Sequence, residues 1–299
     1  MSMRFVASEA PPASARWASA VALFSVFLML TGVALHRVMG MPTPTALNIG
    51  AVALAGAGLA VVLAILAAVR IWRRGGHGTA HVLVALAAAG GLIGWPLSFL
   101  PVVQALPEIN DVTTDTNAPP AFTTLAAERK PPANPPAYPG PSFAARQRRA
   151  YPDLVPLKLN RPRAEAFDIV MEAVRRQSMT VARQDPPGDD PARPGMIEAV
   201  DRTLILGFYD DVAIRVDGDE TSSRVDIRSA SRYGRHDLGR NAERVRRLLR
   251  EIVTRLEATP PGATLARGKG AKAGREEVTP GKGVPPKKPS RRRRPARAQ

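Results

Sequence analysis

Three long apolar stretches in the first third of the chain narrow the fold before any other feature is weighed. Ala18 to His36 is uncharged until Arg37, Leu47 to Val69 carries no charge at all, and Ala80 to about Val103 contains only His81. A helix needs about 20 apolar residues to cross a bilayer core, and a soluble core rarely demands three such helices in succession. The pattern predicts transmembrane helices over about 18–36, 47–69 and 80–103. The first is read as retained rather than as a cleaved signal, because Val33-Ala34-Leu35-His36-Arg37 is a poor small-residue cleavage site. Trp17, Trp72 and Trp95 lie at or near segment ends, as interfacial aromatics do. Gly90 and Gly94 form a GxxxG pair, and Ala53/Ala57 and Gly56/Ala60 repeat the small-residue spacing. Such faces let helices approach closely, although an alanine-rich composition produces the same spacing.

The positive charges give these helices a direction. Arg4 and Arg16 precede the first, only Arg37 lies between the first and second, and Arg70, Arg73 and Arg74 follow the second. After the third, Glu108, Asp111 and Asp115 come before any Lys or Arg, and the next base is Arg129. The positive-inside rule then places the N-terminus and the second loop in the cytoplasm and everything after residue 106 outside. The expected location is a bacterial inner membrane, with a periplasmic or otherwise extracytoplasmic C-terminal domain.

The formal charge of +16 is unevenly spread. Residues 1–106 carry a net +5, 107–150 a net +1, 151–257 zero and 258–299 a net +10. The basic character therefore belongs to the tail and the membrane flanks, and the neutral middle does not read as a nucleic-acid binder. The chain has no cysteine, which excludes disulfides, thiolate metal sites and cysteine nucleophiles. Its four histidines, His36, His77, His81 and His236, are scattered, and no glycine loop for phosphate is present. Neither a metal nor a cofactor is expected.

Residues 107–150 are rich in proline, which blocks helix and sheet, and read as a stiff spacer. Within it Ile109-Asn110-Asp111-Val112-Thr113-Thr114-Asp115 stands out. Asn, Asp and Thr side chains satisfy backbone donors in turns, while two carboxylates four apart suit a cation; the turn reading is preferred.

From residue 151 the periodicities become regular. Val155 to Leu159 alternates as a strand. Pro162 suits a helix start, and Ala164, Phe167, Val170, Met171 and Val174 share one helical face. Strands follow over 179–183, 195–203, 207–216 and 224–231, with Asp217-Gly218-Asp219 as a turn. Leu238, Ala242, Val245, Leu249, Ile252 and Leu256 form the apolar stripe of a last helix, with Asp237 as its N-cap and Arg240, Arg244, Arg246, Arg247 and Arg250 around the rest. The expected fold over 151–257 is a membrane-anchored α+β domain of order β-α-β-β-β-β-α, an antiparallel sheet with two covering helices. Matching the inward residues pairs Val216 with Val225 and Ile214 with Ile227. Arg215 then faces Asp226 on the other face with Asp211 near Arg228, and Asp210 faces Ser231 on the inward side.

Three segments resemble a known family. Ile-Asn-Asp-Val-Thr-Thr-Asp at 109–115, Gly-Phe-Tyr-Asp-Asp-Val-Ala-Ile-Arg-Val at 207–216 and Val-Asp-Ile-Arg-Ser-Ala-Ser-Arg-Tyr-Gly-Arg-His-Asp-Leu-Gly-Arg-Asn-Ala at 225–242 are similar to the domain-of-unknown-function 1499 family. The resemblance covers roughly residues 107–255. It implies a bacterial, envelope-associated protein and supplies no activity, cofactor or catalytic residue.

The densest polar region runs from Arg228 to Asp237. An inward Asp210 demands a partner, for which Arg228 and Arg232 are the nearest candidates, and a helix start with Arg and Ser donors suits an anion. The candidate ligand site is Asp210, Ser229, Ser231, Arg232, Asp237 and Asn241, and the alternative is a buried network that fixes the loop before the last helix. Ser231, His236 and Asp237 also hold the residue types of a hydrolase, but they crowd one loop and no GxSxG elbow is present. The tail, with Lys282, Lys287, Lys288, Arg291 to Arg294 and Arg297, is expected to be disordered. Outside the cell it suits anionic lipid or cell-wall polymer; only a cytoplasmic tail would favour nucleic acid. The leading reading is a binding protein working near the inner membrane, with a membrane-anchored hydrolase using Asp210, Ser231 and Asp237 as the alternative.

Overall fold

The computed structural model describes residues 10–262, apart from 189, 191 and 192. The basic tail, like Arg4, lies outside the described residues.

Helices α1 (Ala13–Met39), α2 (Thr43–Arg74) and α3 (Thr79–Leu97), the last continued by a short α4 (Leu100–Ala105), pack as an antiparallel bundle. All three spans are long and apolar enough to cross a membrane. Fully buried alanines form the seam: Ala15, Ala18 and Ala22 of α1, Ala57, Ala60 and Ala64 of α2, Ala85 and Ala89 of α3. Small side chains bring the backbones close enough for dispersion to hold them. A methyl group on Gly32 would come within 2.7 Å of Ile49, and one on Gly56 would overlap Ser25. Gly90 and Gly94 differ, since a Cβ on either meets nothing within 4 Å; their GxxxG face takes no part in this bundle. The large apolar side chains, among them Phe24, Phe27, Leu30 and Leu66, point outward and are more than half exposed. That is the inverse of a soluble bundle and suits hydrocarbon surroundings. Trp17 and Trp72 mark one end and Trp95 the other.

The rest of the chain builds one sheet with helices: β1 (Asp111–Thr113), α5 (Thr124–Glu128), α6 (Pro141–Ala150), β2 (Leu157–Leu159), α7 (Arg163–Arg176), β3 (Thr180–Asp185), β4 (Gly195–Arg202), β5 (Tyr209–Gly218), β6 (Ser223–Ser231) and α8 (Arg240–Ala258). The strand order is β1-β6-β5-β4-β3, every pairing is antiparallel, and β2 joins β6 beyond the end of β1. Val216 faces Val225, Ile214 faces Ile227, Arg215 faces Asp226 and Asp210 faces Ser231, as the alternation of apolar residues implies. Asp211 departs from the expected neighbourhood. It lies opposite Ala230, and Arg228 turns instead to Asp111. The β5–β6 turn needs Gly218, whose φ of 137° and proximity to the Ser222 carbonyl leave no room for a side chain.

One sheet face carries α7 and α8. Phe167, Val170 and Val174 of α7 and Val245, Leu248 and Ile252 of α8 bury Ile197, Val212, Ile214, Val225 and Ile227. The other face is also covered, which corrects the spacer reading of residues 107–150. There Phe122 and Leu125 cap Ala213 and Ala230, while β1 is a strand of the sheet and Ile109, Val112 and Phe143 are buried in the core shared with α7 and α8. The prolines keep this segment extended, but extended chain serves a sheet edge and a covering loop as well as it serves a spacer. Turn chemistry does hold at Asp115, whose Oδ1 accepts from the amides of Asn117 and Ala118 at 3.0 Å each.

Candidate functional site

Alternation along β5 and β6 divides the sequence-derived site between two faces of the sheet. Asp210, Ser229 and Ser231 point toward α8, where Asn241 joins them; Arg232 points the other way. The cation missing from the sequence reading is Arg244. Its Nη2 reaches Asp210 at 2.5 Å, its Nε reaches Asp201 at 2.6 Å, and its Nη1 donates to Ser229 Oγ at 3.0 Å and to Asn241 Oδ1 at 2.6 Å. Asn241 in turn donates to Ser231 Oγ and to the Asn110 carbonyl at 3.0 Å each. Arg244 is 2 % exposed and fills the space that the sequence reading left open for a ligand. Burial works against its charge, and the carboxylates of Asp210 and Asp201 more than offset this, holding its pKa above the ordinary arginine value. The periodicity did contain the signal: Arg244 lies three residues after Asn241 and one before Val245, on the buried face of α8.

Asp237 prepares the start of α8. Its Oδ1 accepts from the Gly239 amide at 2.8 Å and its Oδ2 from the Asn241 amide at 3.0 Å, the service of an N-cap supplied from just before the first turn. Burial pushes its carboxyl up in spite of these bonds. The hydrolase residues do not assemble. Ser231 Oγ is bonded to Asn241, while His236 Nδ1 accepts from the Leu238 amide at 2.9 Å and its Nε2 faces the Leu106 carbonyl at 3.3 Å.

The opposite face holds a layer of arginine–carboxylate pairs under the segment from 107 to 150. Asp211 sits between Arg129 and Arg232, at 2.8 Å from each, and Arg232 continues to Glu128. Arg215 and Arg224 both bind Asp226 and Asp115. Arg228 grips Asp111, with its guanidinium 4.5 Å from the centre of the Phe122 ring. Burial raises the carboxyls of Asp111 and Asp211 despite these partners. Asp115 is less buried, and although burial pulls it upward, the amides of Ala118 and Asn117 with Arg224 and Arg215 hold it below the usual range. These pairs tie cover to sheet, so Arg232 belongs to this structural layer.

A cleft of about 420 Å³ opens beside the Arg244 cluster, between the end of β4 and the start of α8. Asp201, Arg202, Leu204, Leu238, Arg240 and Arg247 are among its walls. Its two rims are the places where the helical bundle meets the sheet domain. At one, Arg37 Nη1 donates to the Thr203 carbonyl at 2.9 Å, Arg202 Nη2 donates to the His36 carbonyl at 3.0 Å, and the rings of His36 and Phe208 lie 5.7 Å apart. At the other, Leu106 packs against Gly239 and meets His236. Between them the β4–β5 loop exposes Leu204 and Ile205, 76 % and 62 % accessible.

The architecture defines a class: an α+β domain of antiparallel sheet and helices, attached to three helices able to span a membrane. Residues 111–252, which make up most of the sheet domain, match the family model described as "Protein of unknown function (DUF1499)". The match begins at β1, so it includes the proline-rich cover as well as the sheet. A search of the curated proteins finds no match to the chain.

Proposed function

We propose that this is a three-span protein of a bacterial inner membrane, with its N-terminus in the cytoplasm and an extracytoplasmic domain that binds a ligand or envelope partner at the membrane surface. The observation that carries this reading is the contact between Arg37 and the Thr203 carbonyl. Arg16, Arg70, Arg73 and Arg74 gather toward the end of the bundle away from the sheet domain, and Arg37 is the basic exception at the other end. An arginine occupied by the domain is compatible with the outer side, while the cluster, which has no ion pair among the described residues, favours the cytoplasm. Binding rather than catalysis is the better reading, because Ser231, Asp237 and Asp210 are each committed to neighbours within the fold. The basic tail would add a second contact with anionic lipid or cell-wall polymer.

Fusions to the C-terminus test the orientation: alkaline phosphatase should be active there and green fluorescent protein dark. The opposite pair of results would overturn the topology and with it the extracytoplasmic role.

A further inference from the structure

We propose that the cleft between β4 and α8 holds the phosphate of an anionic membrane phospholipid, whose acyl chains leave past Leu204 and Ile205 into the bilayer. This rests on the reading that the domain sits against the membrane surface.

Position comes first. The segment 201–204 that walls the cleft is the same one held by His36 and Arg37 at the end of α1, and Gly239 on the opposite wall packs on Leu106 at the end of α4. Both walls are therefore pinned to the ends of membrane-spanning helices. A cleft so placed opens at headgroup depth, and the exposed Leu204 and Ile205 lie where hydrocarbon begins.

Charge comes second. The carboxylates near the cleft already have cations: Asp201 is bound by Arg244, and Glu243 by Arg250 at 2.7 Å. Arg240 has no carboxylate partner among the described residues, and Arg247 only approaches Asp201, at 3.9 Å, with its side chain 47 % exposed. Two guanidinium groups with spare donors on the wall of a cleft are a phosphate's natural partners. The first-turn amides of Gly239 and Asn241 are taken by Asp237, so recognition falls to these side chains rather than to the helix end. Leu204 and Leu238 supply the apolar wall that a free phosphate would not need and an acylated one would.

The full chain, extracted in mild detergent, is titrated with phosphatidylglycerol and read by native mass spectrometry, beside the doubly substituted Arg240→Gln/Arg247→Gln chain. Both positions face solvent, so the fold should survive, as circular dichroism would verify. The double variant should lose about tenfold in affinity for its tightest lipid. Because the chain has no cysteine, I205C can carry a single nitroxide in nanodiscs, where it should report acyl-chain depth. A nitroxide in lipid with unchanged phosphatidylglycerol affinity in the double variant overturns the cleft assignment alone. A nitroxide in water overturns the cleft and the surface position together. Glycerol 3-phosphate binding as tightly as the intact lipid would remove the acyl chains from the proposal.

Discussion

Arg228 in β6 closes on Asp111 in β1 through two parallel hydrogen bonds, Nε to Oδ1 at 3.0 Å and Nη2 to Oδ2 at 2.6 Å, with both side chains almost wholly buried. The same guanidinium donates to the Pro120 and Pro136 carbonyls at 3.2 and 2.9 Å. One side chain thus fastens the edge strand and the proline-rich cover to the middle of the sheet.

Asp111→Ala should therefore cost about 3–5 kcal/mol, the usual penalty for leaving a buried charge without its partner. Urea unfolding of the full chain in detergent measures it. The cover should loosen at the same time and expose the buried Arg129 to trypsin. A variant as resistant to urea and trypsin as its parent would show that the cover is held by its apolar contacts alone.

Removing Arg244 should have a comparable effect on the other face. Asp201 and Asp210 are register partners across β4 and β5, and Arg244 is the cation between them. Arg244→Met keeps much of the volume but leaves two carboxylates opposed, and should destabilise the domain by about 3–5 kcal/mol. Thermal unfolding of the full chain reads this directly. An unchanged midpoint would mean that solvent reaches the cluster and screens it.

Acid should weaken the domain through Glu198. This fully buried carboxylate of β4 accepts from the amides of Thr123 and Thr124 at 3.1 Å each, from the Leu125 amide at 2.8 Å and from the Thr123 hydroxyl. Burial pulls its carboxyl up, and these bonds outweigh burial and hold it below the ordinary glutamate value. A depressed folded pKa means stability that is present above the unfolded value of about 4.3 and lost as pH falls through the folded one. Glu198→Gln should be less stable than the parent at neutral pH by about 1–3 kcal/mol, and the gap should narrow in acid. Asp111 and Asp211, raised by burial, act in the opposite sense, so the comparison with Glu198→Gln isolates the one group. Urea midpoints across the acid range give the answer, and a constant gap would contradict the assignment.

Much of the architecture was written in local pattern. Apolar runs marked the three spans, and alternation in 207–216 and 224–231 set a register that the pairing of Val216 with Val225 reproduces. The site was harder, for two physical reasons. Alternation sends Arg232 and Arg228 away from Asp210, which the register itself implied, while a long-range partner such as Arg244 is fixed by how α8 is rotated against the sheet. The proline-rich cover was misread because composition reports how a segment bends and not what it touches. The pairing of β1 with β6, the Arg228–Asp111 ion pair, and Phe122 and Leu125 over Ala213 and Ala230 show that 107–150 is folded onto the sheet. The cleft at the anchor was invisible in principle, since its walls are drawn from the end of β4 and the start of α8 and its rims from the bundle.

The pairing of β1 with β6 also sets a clock. Asp111 leaves the ribosome 117 residues before its partner Arg228, and the first strand after the anchor finds an edge only when the final strand of the sheet has been made. Ile109 and Asn110, which continue from the bundle, accept from the amides of Asp237 and Ser231 and wait equally long. The junction between bundle and domain is thus a late event in the life of each molecule, and a chain halted before residue 228 has its sheet domain joined to the bundle by a strand with nothing to pair to.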